Sequence, residues 1–340
     1  MKSIYGLSHA ELSNFFLENG EASFKATQVY EWIYKREITS FDEMRNVSKK
    51  SIELLKENFV IEELKLIKTL EENDVCKYLF ELNDENLIET VLMKHDYGNS
   101  ICISTQIGCN MGCSFCESGV LKKVRNLTTE EMVSQIIGVG KLIEERISHV
   151  VLMGIGEPLD NYDNVIRLID IINNGKGMDI GSRHITLSTC GIIPKIKELA
   201  DYGKQINLAI SLHASNDELR NKLMNINTVY PICELIKSVK EYINKTNRRV
   251  TFEYVMFDGI NDTCEHATEL SNLLRGINCY VNLIPYNETS YKQYKKSNKE
   301  TILKFYDILK KNNIGVTIRR ELGSKVSAAC GQLRSNYKED

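Results

Sequence analysis

Residues 109–116 read CNMGCSFC, which places three cysteines at the spacing Cys-x3-Cys-x2-Cys in one short stretch. The preceding run ICIST, residues 101–105, is rich in β-branched side chains and predicts a strand that ends just before the cysteines. In barrels of parallel strands, the chemistry belongs to the loops at the carboxyl ends of the strands. We therefore expect these three thiols to form a site on such a loop.

The rest of the chain after this stretch alternates short β-branched runs with longer segments of helical periodicity. This alternation is typical of repeated β-α units around a parallel sheet. Six or so units predict an α/β fold with an incomplete (β/α)6 barrel instead of a closed eight-fold one. One helix start is explicit, because Thr128 and Glu131 form a capping box ahead of an apolar stripe. The predicted strands are ICIST, HVVLMG, HITLST, INLAIS, VTFEYVM, YVNLIP and GVTIRR.

The first part of the chain has a different pattern. Residues 1 to about 60 show helical spacing without strand alternation, and Ser8 with Glu11 forms a capping box for the first helix. Between residues 66 and 93, alternating or apolar runs separated by Asn/Asp-rich breaks predict a small antiparallel sheet. We therefore divide the chain into an accessory domain, residues 1–94, and a core, residues 95–340.

Composition narrows the class of protein. The 340 residues include 43 Lys+Arg and 46 Asp+Glu, so the net charge is −3, which excludes a globally basic nucleic-acid binder but not a local basic patch. No apolar run reaches the roughly 18 residues of a membrane span, and the first residues lack the apolar core of a signal peptide. We expect a cytoplasmic protein without a membrane partner. In that reducing compartment, ten cysteines indicate metal binding or catalysis and not a disulfide framework.

Three clustered thiols without a fourth favour one kind of metal centre. A structural zinc site takes four ligands, usually as two pairs, and no second Cys-x2-Cys or His-x3-His pair follows in the sequence. A [4Fe-4S] cluster bound only by Cys109, Cys113 and Cys116 leaves one iron open to a small molecule. The alternative is three buried packing cysteines, although such cysteines rarely have this spacing. We interpret the stretch as the ligand set of one catalytic [4Fe-4S] cluster.

The cysteine stretch resembles the loop that follows the first barrel strand in the radical S-adenosylmethionine (radical SAM) superfamily. The resemblance implies that S-adenosyl-L-methionine (SAM) chelates the open iron and is cleaved to a 5′-deoxyadenosyl radical. In MGIGEPLDN, Gly156 and Glu157 resemble the element that contacts the SAM amino group. The motifs LSTCG, SLHA and LIPYN end later strands and place further cofactor-binding candidates at the same rim: Ser188, Ser211, Leu212, His213 and Asn287.

With AACGQL, residues 328–333, and YEWIYKREITSFDEM, residues 30–44, these motifs resemble the RlmN/Cfr family of ribosomal RNA adenine methyltransferases nearly end to end. In that family one SAM methylates a cysteine, and a radical made from a second SAM takes a hydrogen atom from the S-methyl group. The resulting carbon radical adds to the adenine ring. A radical is required because C2 and C8 of adenine are electron-poor carbons that do not attack the SAM methyl group.

The same resemblance assigns three catalytic residues. Cys330 matches the methyl carrier, Cys102 matches the cysteine that resolves the covalent adduct by thiol exchange, and Glu89 matches the proton acceptor. From the residues alone, other interpretations stay open. Both cysteines are also compatible with packing, and Glu89 with a solvent-facing position in an alternating strand. We interpret Cys190, in LSTCG, as incidental.

The resemblance also implies partners: 23S ribosomal RNA, transfer RNA as a second candidate substrate, and a reductant protein such as flavodoxin or ferredoxin. We expect a monomer. Because the chain is slightly acidic, RNA has to meet local basic groups, and the helical segment around Trp32 is a further candidate RNA contact. The candidates are Lys122, Lys123 and Arg125; Lys245, Arg248 and Arg249; Lys292, Lys295 and Lys296; Arg319 and Arg320; and Tyr30, Tyr34, Lys35 and Arg36 beside Trp32.

Two branches of the resembled family differ in the carbon that they methylate, which is C2 in RlmN and C8 in Cfr. Pro158, Ala214 and Pro285 match the RlmN pattern, so we expect C2 methylation of an adenine near the peptidyl-transferase centre. Two residues depart from the family pattern: Glu117 replaces a small residue and Asn225 replaces a proline, which bears on substrate preference. The alternatives are C8 methylation, which confers antibiotic resistance, and a non-catalytic iron-sulfur protein that binds RNA.

Overall fold

The computed structural model describes residues 1–289, 292–319, 323, 326–328 and 331–333. Three helices precede the long strands, and after residue 98 strands alternate with helices, as the sequence predicts. The strands are β1 (Lys2–Ser3), β2 (Phe59–Val60), β3 (Lys65–Glu72), β4 (Val75–Glu81), β5 (Leu87–His95), β6 (Gly98–Cys102), β7 (Gln106–Ile107), β8 (Arg125–Asn126), β9 (Ile147–Leu152), β10 (Ile185–Thr189), β11 (Asn207–Ser211), β12 (Val250–Met256), β13 (Cys279–Pro285) and β14 (Gly315–Ile318). The helices are α1 (His9–Glu18), α2 (Phe24–Tyr34), α3 (Lys49–Asn58), α4 (Thr129–Ile143), α5 (Tyr162–Ile172), α6 (Ile193–Asp201), α7 (Asp217–Leu223), α8 (Ile232–Thr246), α9 (Cys264–Leu274) and α10 (Lys299–Lys311).

One sheet of ten strands organises the molecule. Its strand order is β14-β13-β12-β11-β10-β9-β6-β5-β4-β3. From β6 to β14 all neighbouring strands are parallel, and α4, α5, α6, α8, α9 and α10 each return the chain to the start of the next strand. The predicted (β/α)6 arrangement is therefore confirmed, with β14 as a final strand. Because β14 and β3 are the two edges of this order, the described strands form an open sheet and not a closed ring.

The antiparallel strands extend this same sheet and do not form a separate one. Lys77 of β4 lies opposite Val91 of β5, which in turn lies opposite Cys102 of β6. Successive residues of a strand point to alternate faces, so Glu89, two residues from Val91, shares a face with Lys77 and Cys102. The domain boundary expected between residues 94 and 95 falls at the β5–β6 hairpin of this sheet.

Short sequence signals determine where the helices begin. The Ser8 hydroxyl accepts the Glu11 N–H, and the Glu11 carboxylate accepts the Ser8 N–H, which confirms the predicted capping box of α1. Thr128 and Glu131 make the same reciprocal contacts at the start of α4. Within the described ranges, none of the helices is both long and apolar enough to span a bilayer. The apolar stripe of α2 is buried as predicted, through Ala26, Val29, Tyr30 and Ile33.

Candidate active site

A cavity, partly open to solvent, lies where the parallel strands end at their carboxyl termini. This end of the barrel is called the mouth below. Leu212 is the one predicted cofactor residue that does not line the cavity; it is buried in the core, and its N–H donates to the Glu253 carbonyl at 3.1 Å. The lining includes Cys109, Cys113, Cys116, Gly156, Glu157, Ser188, Ser211, His213 and Asn287, all of which the sequence predicted.

Neighbouring elements fix the cysteine loop. The Cys109 N–H donates to the Leu121 carbonyl at 3.0 Å, and the Ser114 N–H donates to the Leu223 carbonyl at 2.9 Å. Gly112 has a positive φ of 65° and packs so closely on Asn225 that a Cβ there would lie 2.8 Å from the Asn225 amide nitrogen. Asn225, one of the two departures from the family pattern, is thus in contact with the loop that carries the thiols.

The three thiols suit a cluster better than a single metal ion. Within the described ranges, no three His, Cys, Asp or Glu side chains converge closely enough to hold one ion. A four-iron cube distributes three thiolates over three irons, so its ligands face one space without sharing one coordination sphere. Cys109, Cys113 and Cys116 meet this requirement. Burial raises the pKa of all three thiols, for Cys109 to about 12, so binding iron has to displace their protons.

Glu157 is a buried carboxylate in the cavity wall. One oxygen accepts the Cys190 N–H at 2.8 Å, and the other accepts the Leu159 N–H at 3.0 Å. Burial raises the pKa of Glu157, and these hydrogen bonds oppose that rise. The preceding Gly156 has a φ of 106°, and a Cβ there would lie 2.6 Å from the Gln106 side chain. Only glycine allows the backbone to take this path and present the carboxylate to the cavity.

Arg220, on α7, contacts the backbone at the carboxyl ends of β10 and β11. The sequence analysis did not identify this residue. Its fully buried guanidinium donates to the carbonyls of Cys190 at 2.7 Å, Ser211 at 3.2 Å and Leu212 at 3.2 Å. A buried charge with this many acceptors fixes the ends of β10 and β11 relative to each other. Cys190 lines the cavity, and its backbone joins Glu157 to Arg220. These are backbone groups that any residue could supply, so the interpretation of its side chain as incidental stays a prediction.

His213 lines the cavity as a neutral imidazole. Its Nδ1 accepts the Val255 N–H at 3.1 Å, which leaves the ring proton on Nε2. Burial lowers its pKa to about 3, with a further contribution from Arg220. Its ring meets the edge of Phe115, in the cysteine loop, with centroids 5.0 Å apart. A φ of 56° places this residue in the left-handed region, an uncommon backbone conformation that the hydrogen-bonded surroundings hold in place.

Glu253, on β12, is a second buried carboxylate in the wall that the sequence analysis did not identify. Its Oε1 accepts the Asn282 side-chain N–H at 2.9 Å, and Arg319 Nη1 lies 4.0 Å from Oε2. Burial raises its pKa, and Arg319 opposes that rise. In sequence, Glu253 has the same appearance as any acidic residue in an alternating strand, so no local pattern distinguishes it.

Glu89 and Cys102 are not in the cavity wall. They lie on the shared face of β5 and β6 described above. Glu89 is only 4 % exposed, which excludes a solvent-facing position, and its Oε1 lies 2.9 Å from Lys77 Nζ. Cys102 belongs to a small apolar cluster that brings the β-sheet and the C-terminal tail together: Val75, Val91, Cys102, Ile155 and Leu333, with Ala328 packed against them.

Cys330 lies outside the described residues, and so does Arg320. The described residues that flank Cys330 bind the tail to the cysteine loop. The Glu117 N–H donates to the Gly331 carbonyl at 2.8 Å, and the Ser118 hydroxyl donates to the Leu333 carbonyl at 2.8 Å. Gly331 also lines the cavity. The buried Glu117 carboxylate has no hydrogen-bond partner among the described residues. Glu117 is the second departure from the family pattern, and its backbone contacts the tail.

The basic candidates are divided between the two ends of the parallel strands. Lys245 lies in the last turn of α8, and Arg248 and Arg249 lie between α8 and β12. All three are therefore at the amino ends of the strands, opposite the cavity. The groups around Lys123 and Lys295 follow strands and lie on the mouth side. Lys123 is paired with Asp160 at 2.7 Å.

The aromatic candidates of the accessory segment are mostly core residues. Tyr30 and Tyr34 are buried, and their hydroxyls donate to the carbonyls of Leu7 and Tyr5, so they are not RNA contacts. Trp32 packs partly against the core, with the Arg36 guanidinium 4.2 Å from its ring centroid. The exposed surface of this segment therefore presents charged side chains more than aromatic ones.

Comparison with known proteins identifies the family. Residues 2–61 match the ribosomal RNA large subunit methyltransferase N-terminal domain, and residues 103–270 match the radical SAM superfamily. Proteins named "Probable dual-specificity RNA methyltransferase RlmN" are 55 % identical in Enterococcus faecalis (98 % of this chain, 96 % of the relative) and 52 % identical in Streptococcus thermophilus (98 % and 88 %). A crystal structure of a radical SAM methyltransferase from Sphaerobacter thermophilus covers 99 % of this chain and 100 % of its own, with 39 % identity and a TM-score of 0.94. The chain therefore belongs to the RlmN family of radical SAM dual-specificity RNA methyltransferases.

Proposed function

We propose that this family member methylates C2 of one adenine in 23S ribosomal RNA, with transfer RNA as its second substrate, through an S-methyl group on Cys330. Two molecules of SAM are consumed for each methyl group transferred. The observation that carries the proposal is Gly331, which follows Cys330 in the chain and lines the same cavity as Cys113 and Cys116. The dual specificity in the names of the relatives supports the choice of two RNA substrates.

In this proposal the residues of the cavity bind and orient SAM. A [4Fe-4S] cluster on Cys109, Cys113 and Cys116 would supply the electron that cleaves SAM to its radical. The Glu157 carboxylate would bind the SAM amino group, and the neutral His213 offers an Nε2–H donor in the same wall. The largely buried wall excludes water, which protects a reactive carbon radical from side reactions.

Two residues on the antiparallel strands then release the product. After the methylene carbon bonds to C2, Glu89 accepts the C2 proton, and the adduct would return one electron to the [4Fe-4S] cluster that had been oxidised in cleaving SAM. The Cys102 thiolate attacks the sulfur of Cys330, the carbon–sulfur bond breaks, and its electron pair remains on carbon, which takes up a proton to become the methyl group. The shared face of Glu89 and Cys102, packed against Ala328 and Leu333 on either side of Cys330, supports this assignment.

The remaining parts of the proposal concern partners. We assign part of the RNA-binding surface to residues 1–94, because residues 2–61 match the N-terminal domain of the family, and the rest to basic groups on the mouth side. A flavodoxin or ferredoxin reduces the cluster, and the enzyme acts as a cytoplasmic monomer. Since an adenine has to leave its base stack to reach a buried site, the RNA is locally opened when it binds.

The test is anaerobic loading with iron and sulfide, followed by methylation of a 23S ribosomal RNA fragment and mass spectrometry of the nucleosides. We expect 2-methyladenosine from the wild type and none from Cys330→Ala. Cys264→Ala, an exposed cysteine on α9, is the matched control and should retain full activity. An 8-methyladenosine product would favour the C8 alternative, and a normal yield from Cys330→Ala would refute the S-methylcysteine route.

A further inference from the structure

A buried lysine lies beside the proposed proton acceptor. Among the described residues, Lys77 on β4 is the only lysine that is less than a tenth exposed, at 8 %. Its Nζ lies 2.9 Å from Glu89 Oε1 and donates to the Ser327 carbonyl at 3.2 Å. Ser327 follows Lys77 by 250 residues. One ammonium group thus joins the antiparallel strands to the C-terminal tail.

Stability alone does not account for this lysine. Removing an ammonium and a carboxylate from water costs free energy that their attraction only partly returns, and a packed apolar pair of similar volume is often equally stable. The neighbours of Lys77 on this face, Val75 and Val91, are apolar and show that the position can hold such residues. A charge kept here at a cost indicates a role in the chemistry of the site.

The location of Lys77 suits such a role. Ser327 is three residues before Cys330 in the sequence, and Cys102 lies on the same face of the adjoining strands. Two other tail contacts, from the Glu117 N–H and the Ser118 hydroxyl, are made by neutral donors that directly follow the cysteine loop. Lys77 instead contacts the tail and Glu89 at the same time.

We propose that Lys77 is a positioning residue that keeps the Glu89 carboxylate ionised and oriented and seats the tail beside it. This inference rests on the proposed function, in which Glu89 accepts the C2 proton. A cation next to a carboxylate favours its charged form, and only that form accepts a proton. The hydrogen bond to Ser327 sets the distance between the described part of the tail and Glu89, so one side chain positions both.

The test compares single-turnover methylation by cluster-loaded, full-length wild type, Lys77→Met, Lys77→Gln and Lys77→Arg. A positioned general base accelerates a reaction roughly 10²–10⁴-fold. We expect Lys77→Met to lower the single-turnover rate by about tenfold or more. The covalent protein–RNA adduct should accumulate, because proton removal is slowed. The acidic limb of the rate profile should move to higher pH in the Met and Gln variants, since both lack the cation. Arg retains the charge and should restore the rate and the profile.

Lys65→Met is the matched control. It removes an exposed ion pair with Glu81 on neighbouring strands of the same sheet, at 2.8 Å, and should behave as wild type. Iron content and the unfolding midpoint establish that each variant is folded, and Lys77→Gln replaces Lys77→Met if the latter loses iron. The inference would be overturned if Lys77→Met and Lys77→Gln both had the rate and the pH profile of Lys65→Met. A wild-type product methylated at C8 would instead refute the proposed function and leave this comparison valid.

Discussion

Buried charges at the mouth show how single residues shape this site. Arg220 gives all of its polar contacts to groups within the fold, chiefly the carbonyls of Cys190, Ser211 and Leu212. Those carbonyls end two barrel strands, and an open strand end has no further ladder to satisfy them. The guanidinium therefore replaces the missing backbone partners at the strand ends beside the cavity.

Replacing Arg220 with methionine should leave these buried carbonyls unpaired. We expect a loss of roughly 3 kcal/mol in the free energy of unfolding, together with weaker SAM binding, because Glu157 shares Cys190 with Arg220. Denaturant unfolding and equilibrium binding of SAM measure the two effects. Arg183→Met, on the exposed far side of the barrel, should change stability by less than about 0.5 kcal/mol. Equal effects of the two substitutions would contradict this account of Arg220.

At this scale the sequence predicts residues that have a distinctive spacing and misses those that do not. The three cysteines and Gly156 belong to motifs, and the structure brings them to one cavity. Arg220, Glu253 and Lys77 have no such signal, because their environment is created by residues distant in sequence. The same holds for two histidines. No sequence motif links His149 and His184, yet their rings stack with centroids 4.2 Å apart.

The helices and their ends carry predictions of their own. At the start of α4, Thr128 accepts the Glu131 N–H in a reciprocal capping box. Thr128→Ala should lower the free energy of unfolding by about 1 kcal/mol, because one N–H at the helix start loses its acceptor. Thr128→Ser keeps the hydroxyl and should recover most of that loss. Chemical denaturation of the two variants measures the difference, and identical midpoints would show that the cap is not used.

A pH effect is expected between α2 and α4. Burial raises the pKa of Glu37 from 4.5 to about 7, although Lys141 opposes the rise. The folded chain therefore holds this proton more tightly than the unfolded chain, so its stability falls as pH increases through that window. Glu37→Gln should be more stable than wild type above pH 7 and equal to it below pH 4.5. Unfolding midpoints across this range measure the effect, which the exposed Glu18→Gln should not show.

Element types were predictable, but their neighbours were not. Each β-branched run named from the sequence overlaps a strand, since periodicity reports which faces are buried. The bounds are less exact: β6 ends at Cys102, so the last three residues of ICIST follow the strand. Periodicity does not report which strand lies beside which. The union of β5 with β6 into one continuous sheet depends on a hairpin register, Val91 opposite Cys102, that no local pattern encodes. That register is what places Glu89 and Cys102 on one face.

For the whole molecule, the distribution of charge determines how RNA binds. Basic groups on the mouth side have to attract the RNA, because the net charge of the chain is −3. Lys122→Ala with Lys295→Ala should weaken binding of an RNA fragment and reduce the salt dependence of log Kd by about 1–2. Lys245→Ala with Arg249→Ala, at the opposite end, should leave both unchanged. A filter-binding series over salt concentration measures this, and equal losses from the two pairs would place the RNA elsewhere.

The whole-molecule account depends on the methyl group passing through a protein sulfur before it reaches the RNA. SAM carrying three deuterons on its methyl group tests this most directly, by mass spectrometry of both products of one reaction. The account predicts 2-methyladenosine whose methyl group keeps two deuterons and gains one proton, with the third deuteron found in 5′-deoxyadenosine. A methyl group that arrives with all three deuterons would contradict it.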